Sequence, residues 1–98
     1  MISRNLNKIN KIIIHCSDSD VEAHDNVQTI RVWHLARGFE DIGYHYIIMK
    51  HTEDIGYGRH IGYVGAHCKG YNYNSIGICL TGKTQFTKLQ FTGVVSLI

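Results

Sequence analysis

His15 ends the apolar run Ile12-Ile13-Ile14, and a strand end is a rigid platform from which an imidazole can hold a metal ion or move a proton. The competing reading is a histidine that only caps a strand edge. Seven histidines in 98 residues are the compositional outlier of this chain, and most of them are expected to be surface or packing residues. A second concentration of reactive types is Gly65-Ala66-His67-Cys68-Lys69-Gly70-Tyr71-Asn72-Tyr73-Asn74, which runs directly into the apolar Ser75-Ile76-Gly77-Ile78. A glycine-punctuated loop joined to a strand in this way displays its side chains at the strand mouth. A third is Gly43-Tyr44-His45-Tyr46, where glycine gives the backbone room beside a phenol. On sequence alone Tyr44 reads as a half-buried strand tyrosine, since six tyrosines cannot all do chemistry.

Catalytic zinc takes three protein ligands and an open position for water, whose pKa then falls to about 7. No histidine or cysteine pair has a self-evident ligand spacing such as His-x-x-x-His or Cys-x-x-Cys. His15 is the best single ligand candidate, and one ligand does not hold zinc usefully. Cys16 should point to the opposite strand face and is read as a small core residue.

The elements that must position these groups follow from periodicity. Lys11 to His15 reads as a short strand buried on both faces. After the polar Ser17-Asp18-Ser19-Asp20, either Asp25 or Asn26 can cap a helix whose apolar stripe is Val27, Ile30, Trp33 and His34, and Gly38 closes it. Tyr44 to Met49 has strand character, and alternation places Tyr46 on the face of Tyr44 with His45 on the other. A turn at Thr52-Glu53-Asp54 leads to a returning strand, Ile55 to Arg59. Ser75 to Leu80 is a second buried strand, with Gly77 marking a close backbone approach. From Thr87 the chain reads as a helix, weakened by about 1 kcal/mol at Gly93. The result is an α/β domain, a mixed central sheet flanked by helices.

A hydrophobic content of 44% in 98 residues suits one small domain spanning 1–98, with a core only marginally sufficient. Ten Lys and Arg against eight Asp and Glu give a net charge of +2, too mild and too dispersed to indicate nucleic acid. No apolar stretch has the length of a signal peptide or a membrane span, so synthesis in the cytoplasm without membrane association is expected. Three cysteines without framework spacing fit reduced thiols.

In these three motifs and their order, over about Lys11 to Gln90, the chain resembles the zinc-dependent N-acetylmuramoyl-L-alanine amidases, which include amidase-type phage lysozymes and peptidoglycan-recognition proteins. The resemblance implies hydrolysis of the amide between the glycan's lactyl group and L-alanine of the stem peptide, with peptidoglycan as partner. It makes His15 the first zinc histidine, Tyr44 the phenol that stabilises the oxyanion, and His67 a substrate-groove histidine. Lys69 and Arg59 could meet stem-peptide carboxylates or be solvated charges, and Asn72, with Asn74, could brace the loop or touch substrate. Family members continue past the helix opening at Phe86-Thr87-Lys88-Leu89-Gln90 into a strand and loop that supply the remaining ligands. The zinc site is therefore expected to be incomplete here and activity weak or absent; a non-catalytic peptidoglycan-binding module or an inactive prophage remnant is the alternative. Reaching the cell wall would require lysis or a dedicated export device. Val94, Val95, Leu97 and Ile98 form an apolar, uncapped end, from which a homo-oligomer joined through this helix is expected.

Overall fold

Strand β4 (Ser75–Leu80) is buried along nearly its whole length, because its neighbours on either side and a helix above each face consume the run Ser-Ile-Gly-Ile-Cys-Leu. The computed structural model describes residues 1–52 and 54–98, which leaves Glu53 of the expected turn outside the described residues. The sheet order is β1-β4-β2-β3. β1 (Lys11–Cys16) and β2 (Tyr46–Ile48) run parallel to β4, and β3 (Ile55–Tyr57) runs antiparallel to β2.

Side-chain alternation along β4 builds two separate cores. Cys79 joins Ile30, Ile42 and Ile47 beneath α1 (Val27–Ala36), where Val27, Trp33 and Tyr44 also pack. Ile78 and Leu80 join Ile48 and Val94 beneath α2 (Lys88–Leu97). No helix among the described residues is long and apolar enough to cross a membrane.

Several local expectations need correction. β1 is an edge strand, not one covered on both faces: Ile12 is 39% and Ile14 50% exposed, and Cys16 is an exposed thiol instead of a core residue. Tyr44 precedes β2 on irregular backbone, so alternation starts only at Tyr46. Tyr44 consequently packs beneath α1 while Tyr46 packs beneath α2. The returning strand is shorter than expected, ending at Tyr57. Gly93 does more than weaken its helix. A Cβ there would stand 3.1 Å from Ile48 Cδ1, so the glycine lets α2 lie close on β2. Val94 is buried against the chain's own sheet and Leu97 half-buried, while Val95 and Ile98 face outward.

Polar side chains tie the strand ends together. Asn26 caps α1, its Oδ1 accepting from Thr29 N at 2.7 Å, and Gly38 closes the helix at φ +91°. Asp25, the other cap candidate, is spent elsewhere. Its side chain is 4% exposed, and its oxygens accept from the Thr81 hydroxyl, Lys50 N (3.1 Å), His51 N (2.6 Å) and His51 Nδ1 (2.7 Å). Burial pushes this carboxyl up, but the donors outweigh it and hold the group below its ordinary value. On the other side of the sheet Gln90, fully buried, donates to the carbonyls of Ile48 (3.0 Å) and Thr81 (2.9 Å) while closing a capping box with Thr87.

Asp25→Ala should cost about 2–4 kcal/mol, because the buried Thr81 hydroxyl and the part-buried Lys50 N lose a charged acceptor at once, together with the more exposed His51. The depressed carboxyl makes that contribution complete above its unfolded value of 3.8 and lost as pH falls through the folded one. Urea denaturation at neutral pH measures the cost; a wild-type midpoint would mean that water replaces the carboxylate.

Candidate functional site

The cleft is organised around the missing side chain of Gly77. A Cβ at this position would sit 2.6 Å from Cγ and Cδ2 of His67, so the imidazole lies flat on the strand backbone. The peptide groups of the same residue hold a second imidazole: Gly77 N donates to His45 Nδ1 at 3.0 Å, and Gly77 O accepts from His45 N at 2.9 Å. With Nδ1 an acceptor, His45 carries its proton on Nε2 and donates it to Tyr63 O at 2.9 Å. His45 is thus a satisfied core group, 1% exposed, and burial first, then the nearby Arg4 and Arg59, hold its pKa down at about 4.

His67 is pinned at three points. Asn72 Oδ1 accepts from the backbone N of His67 (2.9 Å) and of Cys68 (2.8 Å), as expected of a bracing amide. Its ring nitrogens meet His15 Nε2 at 2.9 Å and Ser75 Oγ at 3.2 Å. Burial, followed by the charges of His15, His45, Arg4 and Arg59, lowers its pKa to about 4. The His15 ring stands 5.0 Å from that of His67 and 5.3 Å from that of Tyr44, so the structure brings these three candidates together. Burial, reinforced by the Cys79 and Cys16 thiols, raises the Tyr44 phenol well above its ordinary value and keeps it a protonated donor at neutral pH.

Beside Tyr44 and His67, which help to line it, opens a cleft of about 420 Å³, walled also by His34, Arg37, Phe39 and the loop from Ala66 to Asn72; His15 stands behind these two and not in the wall. A smaller one of about 220 Å³ shares His34, Arg37 and Tyr44 and ends at Cys16, Ser17 and Asp18. The larger wall carries two cations, Arg37 and Lys69, and no carboxylate. Arg37 lies 5.1 Å from the Phe39 ring centre, which fixes its guanidinium beside an aromatic surface.

Arg59, expected to meet substrate, does not reach the cleft. It is 8% exposed and donates to the carbonyls of Ile42 (3.0 Å), Val64 (2.8 Å) and Asp41 (3.2 Å), so its fork is spent on holding the loop. Arg4 does the same work at the loop's other side, with carbonyl contacts to Ile61, Asn72, Tyr73 and Ser75 between 2.7 and 3.1 Å. Sequence reasoning missed three cleft residues, His34, Arg37 and Phe39. The available signal was a histidine on the core-facing stripe of α1: it accepts from Gly43 N at 2.8 Å and lines both clefts.

Zinc needs three ligands around an open position. Among the described residues no three His, Cys, Asp or Glu side chains gather to hold a metal ion, and the facing nitrogens of His15 and His67 are spent on each other. The described side chains do not fit zinc as a set.

Comparison with known proteins gives one consistent picture. The model of the N-acetylmuramoyl-L-alanine amidase family matches residues 5–98. The endolysin of Escherichia phage T7 is 40% identical over 95 residues, covering 89% of this chain and 62% of the endolysin. The endolysin of Klebsiella phage KP32 is 36% identical over 96 residues, covering 90% and 63%. Among solved structures, N-acetylmuramoyl-L-alanine amidase LysC from Clostridium intestinale superposes with a TM-score of 0.81 at 30% identity, covering 95% of this chain and 62% of that one. The ectodomain complex of peptidoglycan recognition proteins LCa and LCx, solved with tracheal cytotoxin bound, gives 0.84 at 27%, covering 99% and 63%. The chain thus spans somewhat under two thirds of the length of these relatives.

His45 makes the fold sensitive to mild acid. Its pKa is depressed from 6.5 to about 4, so the unfolded chain binds the extra proton between these values. The neutral ring's contribution is complete above about pH 6.5 and lost as pH falls toward 4. Denaturation midpoints should fall between pH 7 and pH 5 in the wild type and fall less in His45→Gln; equal slopes would remove His45 as the source.

Proposed function

Because the chain belongs to the N-acetylmuramoyl-L-alanine amidase family, we propose that it binds the stem peptide of peptidoglycan along this cleft and presents the lactyl–L-alanine amide to the cluster of His15, Tyr44 and His67. The observation that carries this reading is the larger cleft, whose wall combines two cations with aromatic and backbone polar surface and has no carboxylate. An extended peptide bearing carboxylates complements such a wall. Arg37 and Lys69 attract the carboxylates, Phe39 supplies apolar surface, and the loop backbone offers partners to peptide groups.

The protonated Tyr44 phenol is suited to donate a hydrogen bond to the oxyanion that develops when an amide carbonyl is attacked. His34, buried beside it and held through Nδ1 by Gly43 N, keeps its proton on Nε2 as a second polar edge in the cleft. For zinc, His15 would supply one ligand, and further ligands would have to come from groups other than those described. The role proposed for this chain's own residues is therefore binding, orientation and oxyanion stabilisation. The exposed Val95 and Ile98 side chains support the accompanying proposal of self-association through α2, which sedimentation of a Val95→Asp, Ile98→Asp variant tests.

Co-sedimentation with purified peptidoglycan, combined with an assay for newly freed L-alanine amino termini, tests the function. Binding is expected, weakened on the order of tenfold in an Arg37→Ala, Lys69→Ala double variant and sensitive to salt, as exposed ion pairs are. Release of L-alanine termini identifies the amidase; binding without release identifies a recognition module, and no binding sinks both. Where cleavage is measured, Tyr44→Phe should slow it about 100- to 1000-fold, the usual effect of removing one oxyanion donor. Unchanged turnover would take the phenol out of the mechanism.

A further inference from the structure

The hydrogen bonds around His67 form a chain whose direction can be read from its far end. The carbonyl of Tyr71 can only accept, so the Ser75 hydroxyl, 2.7 Å away, donates to it. With its one hydrogen committed, Ser75 Oγ can serve His67 Nε2, at 3.2 Å, only as an acceptor. His67 therefore carries its proton on Nε2, and its Nδ1 is a bare lone pair. Two nitrogens 2.9 Å apart share one proton, so the contact between His67 Nδ1 and His15 Nε2 is filled by a proton on His15 Nε2. That leaves His15 Nδ1 unprotonated. This atom has no hydrogen-bond partner among the described residues and is not sealed from solvent.

We infer that Ser75 and His67 are positioning residues that lock His15 in its Nε2–H form and leave Nδ1 as the free electron pair of the site. Ser75 is fully buried and His67 rests on the bare backbone of Gly77, so neither link can swing away without repacking. Any electron-pair acceptor that meets His15, a water proton or a cation, then meets Nδ1. A second ring nitrogen that donates to a fixed protein partner is the usual device for orienting a reactive histidine, and here the partner is another imidazole in place of a carboxylate. The inference takes from the proposed function only that His15 belongs to the reacting cluster.

The test is a two-bond proton–nitrogen correlation spectrum of the imidazole rings in the 15N-labelled chain at neutral pH. In the wild type, His15 and His67 should each show a protonated Nε2 and a bare Nδ1. In His67→Phe, which keeps a ring on Gly77 but removes the acceptor, the two His15 nitrogens should move toward averaged shifts. Ser75→Ala should do the same to His67. The His45 ring, held independently by Gly77 N and Tyr63 O, reports in each spectrum that the fold is intact. A protonated Nδ1 on His15 in the wild type would overturn the inference, and so would unchanged His15 shifts in a folded His67→Phe. Partly averaged nitrogen shifts on His15 or His67 in the wild type, the mark of an unlocked ring, would overturn it as well, and this reading needs no variant to fold. Because the spectra read protons and not cleavage, they give the same answer for a chain that leaves the cell wall intact.

Discussion

The ring of His67 lies where the side chain of residue 77 would otherwise be, and the rest of the site takes its coordinates from that substitution of ring for side chain. β4 is paired on both edges, with β1 and β2, so its backbone is held in place from either side. An imidazole laid on that surface inherits its rigidity. His45 is held by the peptide groups of the same glycine, and His15 is reached through the His67 ring, so three imidazoles are referenced to one strand position. Any Cβ at residue 77 would lift His67 and carry the disturbance to His15.

A domain this small cannot fix a long loop by apolar burial, and its two cores contain few fully buried side chains. Charged and amide groups aimed at backbone replace that burial. Asp25 gathers donors from the ends of β2 and β4, Gln90 gathers carbonyls from the same two ends on the other face, and Arg4 and Arg59 gather carbonyls around the loop. Each group is buried or nearly so, and no buried side-chain polar atom among the described residues lacks a partner. A hydrogen bond to a charged group is stronger than a neutral one, and leaving either end unpaired is costly, so these contacts specify geometry as much as they stabilise it.

Much of this was legible in the sequence where local pattern and tertiary environment agree. Ser75 to Leu80 is a strand over the expected residues, the stripe Val27, Ile30, Trp33 and His34 does face the sheet, and Gly77 does mark a close approach. The misreadings have a common cause, which is that composition does not reveal position in the sheet. Ile12-Ile13-Ile14 looks like a central strand because isoleucine is as apolar at an edge as in the middle. Arg59 looks like a surface cation because nothing local announces that three carbonyls will surround it. Thr87 and Gln90 are the opposite case: their spacing is that of a capping box, and Gln90 turns the cap into a tether to the sheet. The pairing of His15 with His67 joins residues far apart in sequence and has no local signature.

The carbonyls gathered by Arg4 belong to Ile61 on one side of the loop and to Asn72, Tyr73 and Ser75 on the other. One guanidinium therefore closes the intervening segment into a ring, with Arg4 as its clasp. Within the ring, Tyr63 to Cys68 are tied to the site by their own contacts, so only residues added at Lys69-Gly70 would bulge outward while both feet of the loop stayed on the same side chain. An insertion at that tip would reshape the outer wall of the cleft, and with it what the cleft admits, while His67 stayed pinned by Asn72 and Ser75.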